Sequence, residues 1–279
     1  MNGAQAIHGI LSEALASDKR VQVLGEALPL SPAASGLLEA HADQVHLLPA
    51  ADATLIGVAV GMAIGGQRPV VELAGTSAIW GAIQQLGQEA AAIGGEFSAP
   101  VVVRVPVGED GFDPTPLLSA VPGLSVACGA SPESAAGLLK AALGHSGPTV
   151  LLESVKMLAE SSNGAAEITL GQAEVVREGE HVTIIAWGDG VAASTKAANI
   201  LAGEGISAEV VDLCSLAPLD AETIGTSIRK TGRVVLSGDG ASALITAVQS
   251  AFLRLESPPT IAAASAGRIV DAAREAVHY

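Results

Sequence analysis

Two α/β domains are predicted for this chain, each a mainly parallel sheet covered by helices in a three-layer arrangement, and three features predict them. The first is the stretch Leu170 to Asp220, where Val182 to Trp187 is an apolar run closed by Gly188. Val191 to Ala202 then carries an amphipathic helical pattern and Ala208 to Leu213 is apolar again, the strand, helix, strand order that a parallel sheet requires. The second is the recurrence of strand-like runs upstream: Val21 to Leu24, Val45 to Leu48, Val70 to Leu73, Val101 to Val105, Leu124 to Ala127 and Thr149 to Leu152, with helical stretches between most of them. The third is composition, because 279 residues with 49% hydrophobic and 15% charged side chains suit two ordinary cores.

Taken in order, Met1 to Ser17 reads as a helix and has neither the basic start nor the unbroken apolar stretch of a signal peptide. Ala53 to Gly66 is the most apolar window; at roughly 14 residues it is too short to span a bilayer, so a core helix is expected. Gly57, Gly61 and Gly65 form one bare stripe on that helix, facing either the chain's own sheet or a second subunit. The polar, aperiodic segment Ala159 to Ile168 is expected to link a domain over residues 1–160 to one over 161–279. Val234 to Leu236 is a further strand. With only 2% aromatic residues, both cores must be built from Ala, Val, Leu and Ile.

The formal charge of -15 argues against nucleic acid and anionic membranes, which need clustered Lys and Arg. Cys128 and Cys214 both lie in segments that read as buried, so no disulfide framework and a cytoplasmic setting are expected. The six histidines, at positions 8, 41, 46, 145, 181 and 278, show no metal-ligand spacing.

Several segments resemble one family. They are Val23-Leu24-Gly25-Glu26, the run Pro49 to Gly61, GQRPVVE from Gly66, GGEFSAPVVVRVPVG from Gly94, Pro122 to Leu124, LGQAEVVREGEHVTI from Leu170 and VVDLCSLAPLD from Val210. In order and spacing they resemble the beta subunit of thiamine-diphosphate-dependent 2-oxoacid dehydrogenases, of the pyruvate dehydrogenase type. The resemblance departs mainly in two loops and the last forty or so residues. It implies a transketolase-like pyrimidine-binding domain followed by a transketolase C-terminal-like domain. It also implies an alpha-type partner chain that holds the cofactor's diphosphate and its magnesium ion, self-association through the beta chain in a heterotetramer, and docking to a lipoyl acyltransferase.

A diphosphate site of this family needs Gly-Asp-Gly and, roughly 25 to 30 residues later, an Asn to complete a magnesium octahedron. Gly188 to Gly190 and Gly238 to Gly240 are Gly-Asp-Gly triplets, but the asparagines are Asn2, Asn163 and Asn199, none at that distance. Both triplets read as turns after strands. No metal site is therefore expected in this chain.

The resemblance puts the catalytic acid in a Pro-x-x-Glu run, and here Pro49-Ala50-Ala51-Asp52 makes Asp52 the matched residue, one methylene shorter. Such an acid hydrogen-bonds the aminopyrimidine of thiamine diphosphate. An Asp in a first helical turn also gains roughly 0.3 to 1 kcal/mol from the helix dipole alone. Ala78 stands where the family carries a ring that packs on the aminopyrimidine, and Trp80 is a candidate substitute that equally suits a core or interface. Glu26 matches an acidic position near the cofactor, suited to proton relay or to an ordinary loop. The loop GEDGFDPTP from Gly108 has no His, and Glu109, Asp110 and Asp113 read as a solvated acidic run.

Three functions fit these observations. One is a catalytic beta subunit for oxidative decarboxylation. The second is a non-catalytic homologue with a structural or regulatory role, and the third is transketolase-like transfer of a two-carbon ketol unit.

Overall fold

The computed structural model describes residues 1–49, 52–91, 99–108, 112–238, 248 and 254–278. The chain divides into two compact units, Met1–Leu170 and Gly171–Tyr279.

In the first unit β1 (Val21–Gly25), β2 (Val45–Leu47), β3 (Arg68–Glu72), β4 (Val102–Val107), β5 (Ser125–Cys128) and β6 (Thr149–Ser154) lie in the order β5-β6-β4-β3-β1-β2, every pairing parallel. Covering helices are α1 (Gly3–Ser17), α2 (Leu37–Ala40), α3 (Asp52–Ile64), α4 (Ile79–Gln84), α5 (Thr115–Ser119), α6 (Pro132–Gly144) and α7 (Val155–Ala159). Strands buried on both faces explain why the sequence shows unbroken rather than alternating apolar runs. Helix α1 starts where Asn2 and Gln5 form a reciprocal capping box, and it buries Ile7, Leu11 and Leu15 at four-residue spacing.

Helix α3 packs one face into the core, burying Leu55, Ile56, Ala59, Val60 and Ala63, while Val58 at 41% and Ile64 at 54% stay exposed on the other. A helix on the face of a sheet covers only one stripe, whatever the composition of its other side. The glycine stripe does not face the sheet as a unit. A Cβ on Gly57 would lie 3.4 Å from Gln85 Oε1, while one on Gly61 would meet open space.

The segment expected as a linker is held on the first unit. Ala166 N–H donates to Glu133 O (2.9 Å), Asn163 N–H to Glu133 Oε1 (2.8 Å) and Ser162 N–H to Met1 O (2.8 Å), while Ile168 packs on the core. Lack of periodicity marked it as irregular, but its polar groups still found partners.

In the second unit the strands are β7 (Glu174–Arg177), β8 (Val182–Ala186), β9 (Ala208–Asp212), β10 (Ser215–Ala217), β11 (Val234–Ser237) and β12 (Thr260–Ala262). Five of them form a sheet in the order β12-β11-β8-β9-β7, with β7 antiparallel on the edge. Its helices among the described residues are α8 (Asp189–Gly203), α9 (Ala221–Thr231) and α10 (Ala266–His278). Gly188-Asp189-Gly190 forms the start of α8. Cys128 and Cys214 are buried, and neither is in a disulfide.

Asp212, at the end of β9, is buried, and that burial pushes its pKa up to about 6 against the Cys214 N–H that donates to Oδ1 at 3.0 Å. A carboxyl with a raised native pKa favours the fold most below its unfolded value and loses that advantage as pH rises through the native one. Between pH 4 and pH 7 this group should therefore remove stability, by about 3 kcal/mol at most for a rise from 3.8 to about 6. Asp212→Asn should flatten that part of the profile in urea unfolding at pH 4, 5.5 and 7; parallel profiles for the two proteins would refute the assignment.

Candidate active site

Parallel strands all present their carboxyl ends at one edge of a sheet, where open α/β sheets place their ligands. Glu26 directly follows β1, Asp52 opens α3 after β2, and Ala78 and Trp80 belong to the helical turns after β3. Since β3, β1 and β2 are neighbours, these four residues come from three adjacent strand ends. Sheet topology brings them to a common edge from positions far apart in sequence.

Asp52 is half-buried, and its side chain lies over α4 at Gly81. A Cβ placed on Gly81 would be 3.2 Å from Asp52 Cβ and 3.4 Å from Oδ2. Among the described residues no hydrogen bond or ion pair engages the carboxylate, so it does not cap the amides of its own helix. Its acceptor capacity is left for a group from outside.

Ala78 is buried, and no ring stands at that position. Trp80 turns outward at 63% exposure and stacks on Phe112, with ring centroids 5.0 Å apart and planes at 24°. Glu26 is half-buried in the bend after β1. Residues 109–111 of the acidic loop lie outside the described residues, whereas Asp113 accepts from Thr115 N–H at 2.8 Å and so shapes the entry to α5.

Two residues of this edge escaped the sequence reading. Gly81 carried a signal: a glycine inside a helix costs up to about 1 kcal/mol relative to Ala and so invites a reason. Here the reason is room for Asp52. Phe112 had no comparable signal, because its stacking partner lies on a separate helix.

Residues at this edge fit the ring end of thiamine diphosphate in one respect: Asp52, half-buried beside the exposed Gly81, carries a carboxylate without a partner among the described residues, able to bond a ring nitrogen. Among the described residues no group of three or more His, Cys, Asp or Glu side chains is placed to hold a metal ion. The triplet from Gly238 has its Asp239 and Gly240 outside the described residues.

Gly81→Ala tests this packing. The added methyl must push Asp52 aside, and a shift near 1 Å at a reacting centre costs on the order of a hundredfold in rate. Partial relaxation should leave a loss of about tenfold in turnover with unchanged urea stability; full activity would show that Asp52 does not need that room.

The two α/β domains are those of the transketolase class. Residues 1–160 match the family model "Transketolase, pyrimidine binding domain", and residues 171–278 match "Transketolase, C-terminal domain". The chain is 33% identical to the pyruvate dehydrogenase E1 component subunit beta of Acholeplasma laidlawii, over 91% of this chain and 86% of that protein. It is 36% identical to the acetoin:2,6-dichlorophenolindophenol oxidoreductase subunit beta of Cupriavidus necator, over 72% and 64%. A solved structure described as a split gene transketolase, inactive beta4 tetramer, superposes with a TM-score of 0.86 at 23% identity, covering 100% of this chain and 98% of that one, a likeness of fold. The chain belongs to the beta-subunit family of thiamine-diphosphate-dependent 2-oxoacid dehydrogenases.

Proposed function

We propose that this chain is the E1 beta-like half of a 2-oxoacid dehydrogenase, completing a thiamine-diphosphate site with an alpha-type partner for oxidative decarboxylation. The observation that carries the proposal is the carboxyl of Asp52 over Gly81, without a hydrogen-bond partner among the described residues, in the run that resembles the family's acid position. Asp52 is proposed to hydrogen-bond the aminopyrimidine nitrogen, beside the exposed backbone of Gly81. Glu26 is proposed as a relay toward the same edge. Trp80 is proposed as an aromatic neighbour of the ring, which would require its stack on Phe112 to open. When bound, the cofactor supplies stabilisation of the carbon electron pair released by decarboxylation.

The diphosphate and the magnesium ion are assigned to the partner, because no Asn follows either Gly-Asp-Gly triplet of this chain at the spacing that the resemblance requires. The uncharged outer face of α3, with Thr54, Val58, Gly61 and Gly65 exposed, supports self-association or contact with the partner. Docking to a lipoyl acyltransferase and a cytoplasmic setting belong to the same proposal. No helix among the described residues is long and apolar enough to cross a membrane.

The decisive experiment purifies the chain with an alpha-type partner and measures turnover of pyruvate, branched 2-oxoacids, acetoin and ketose phosphates with and without thiamine diphosphate. Cofactor-dependent turnover of a 2-oxoacid is the expected result. Turnover of ketose phosphates alone would move the chain to ketol transfer. A second reading, a non-catalytic structural or regulatory subunit, is favoured by the absence of a ring at Ala78 and the outward stack of Trp80. No turnover of any substrate by a pair that assembles would establish it.

A further inference from the structure

A cavity of about 510 Å³ opens at the carboxyl edge of the first unit, separate from the four residues of the candidate site. Its walls are mostly apolar, including Ala4, Pro32, Leu73 and Leu158, with Asn2 and Ser31 as uncharged polar residues, while Leu30 and Val155 line it yet remain 86% and 52% exposed, as befits a rim. One charged group interrupts the walls. Arg104 on β4, with 3% of its side chain exposed, meets Glu153 on β6 (2%) and Glu72 on β3 (10%), and all three line the cavity.

Charge and hydrogen-bond capacity decide what fits. Two carboxylates face one guanidinium, an excess of one negative charge, and the other lining residues include no Lys, Arg or His. Arg104 engages both oxygens of Glu153, at 3.0 and 2.7 Å, but only Oε2 of Glu72. A carboxylate offers about four lone-pair positions, so Glu72 keeps acceptor capacity toward the cavity. An unbalanced charge beside apolar walls costs several kcal/mol unless a counter-charge or donor reaches it. Anions are repelled by this floor. A bare divalent ion needs six or more oxygen ligands, whereas the side-chain oxygens of Glu153, Asn2 and Ser31 already accept from Arg104, Gln5 and Ala33, and Glu72 alone offers too few. The volume lies in the range that holds compact organic ligands.

We propose that this cavity binds a small organic cation, with a primary ammonium or amidinium head donating to Glu72 and an apolar body along the walls. This inference does not depend on the proposed reaction. The test titrates the full-length chain with benzamidine and with benzamide, its neutral counterpart of the same shape, by calorimetry. Benzamidine should saturate one site per chain at least tenfold more tightly than benzamide, and Glu72→Gln should erase that preference. Val155→Trp narrows the rim without touching the ionic floor and should weaken both compounds at least tenfold while leaving the unfolding temperature in place; it decides the matter if Glu72→Gln does not fold. Equal affinities for the two compounds in the wild type, no saturable binding of either, or benzamidine binding unchanged in the variants that fold would overturn the proposal.

Discussion

Asp52→Ala, assembled with the partner chain, is expected to lower cofactor-dependent turnover by about a hundredfold to ten-thousandfold, the usual contribution of a positioned general acid or base. Folding should be unaffected, because no hydrogen bond or ion pair to the described residues is lost with the carboxylate. At most the variant forfeits the roughly 0.3 to 1 kcal/mol that a first-turn acid gains from the helix dipole. Asp52→Asn separates the two roles: it removes the proton-holding group but keeps shape, so it should lose nearly as much turnover. Measuring kcat and KM with saturating thiamine diphosphate checks both variants. Should Asp52→Ala retain wild-type turnover, the acid is only a helix-end charge and the catalytic reading fails.

Lengthening the arm is informative for the same site. Asp52→Glu adds a methylene of about 1.5 Å, and Gly81 is the residue that must yield to it. That variant should fold, and its turnover relative to wild type reports whether the short acid is matched to this cleft or merely tolerated by it. The comparison matters because the neighbouring positions also depart from the pattern that the resemblance implies. Ala78 brings no ring, and Trp80 has turned to Phe112.

Which parts were legible in the sequence follows from what each signal reports. Apolar runs such as Val182 to Trp187 mark strands buried on both faces, and that property is local to the run. For α3 the same signal marked a core helix but not the state of its second face, since an apolar composition does not say whether a neighbour covers it; Val58 and Ile64 remain exposed. Strand β7 was missed because an edge strand with half-exposed residues has no apolar run to show. Asp52 could be nominated from its place in a Pro-x-x-acid run. Its seat on Gly81 depends on how α3 and α4 pack, which no spacing rule encodes. Arg104 within VVVRVPV did carry a signal, since a charge inside an apolar strand must have a partner. Its partners, 32 and 49 residues away, become neighbours only through the strand order β6-β4-β3.

That buried triad is where the largest loss of stability should arise. Arg104→Ala leaves Glu72 and Glu153 facing each other without a counter-charge, and breaking a buried ion pair from one side costs about 3 to 5 kcal/mol. Against the roughly 5 to 15 kcal/mol that holds a typical domain folded, most of the margin disappears. Burial works against the guanidinium's charge, yet Glu153 and Glu72 outweigh it and raise its pKa, so the arginine stays charged at every pH at which the protein folds. Arg104→Lys keeps a charge but not the two-pronged contact with Glu153, and should fall between wild type and Ala. Urea unfolding of the three proteins measures this directly, with an Ala variant within about 1 kcal/mol of wild type as the contrary result. The effect should extend to the candidate site: Leu73 N–H donates to Arg104 O at 3.0 Å, and Glu72 ends β3 just before the turn to Ala78, so the triad fixes where that turn begins. An Arg104 variant that still folds should therefore show weaker thiamine diphosphate binding in the assembled pair, although Arg104 is separate from the proposed ring contacts.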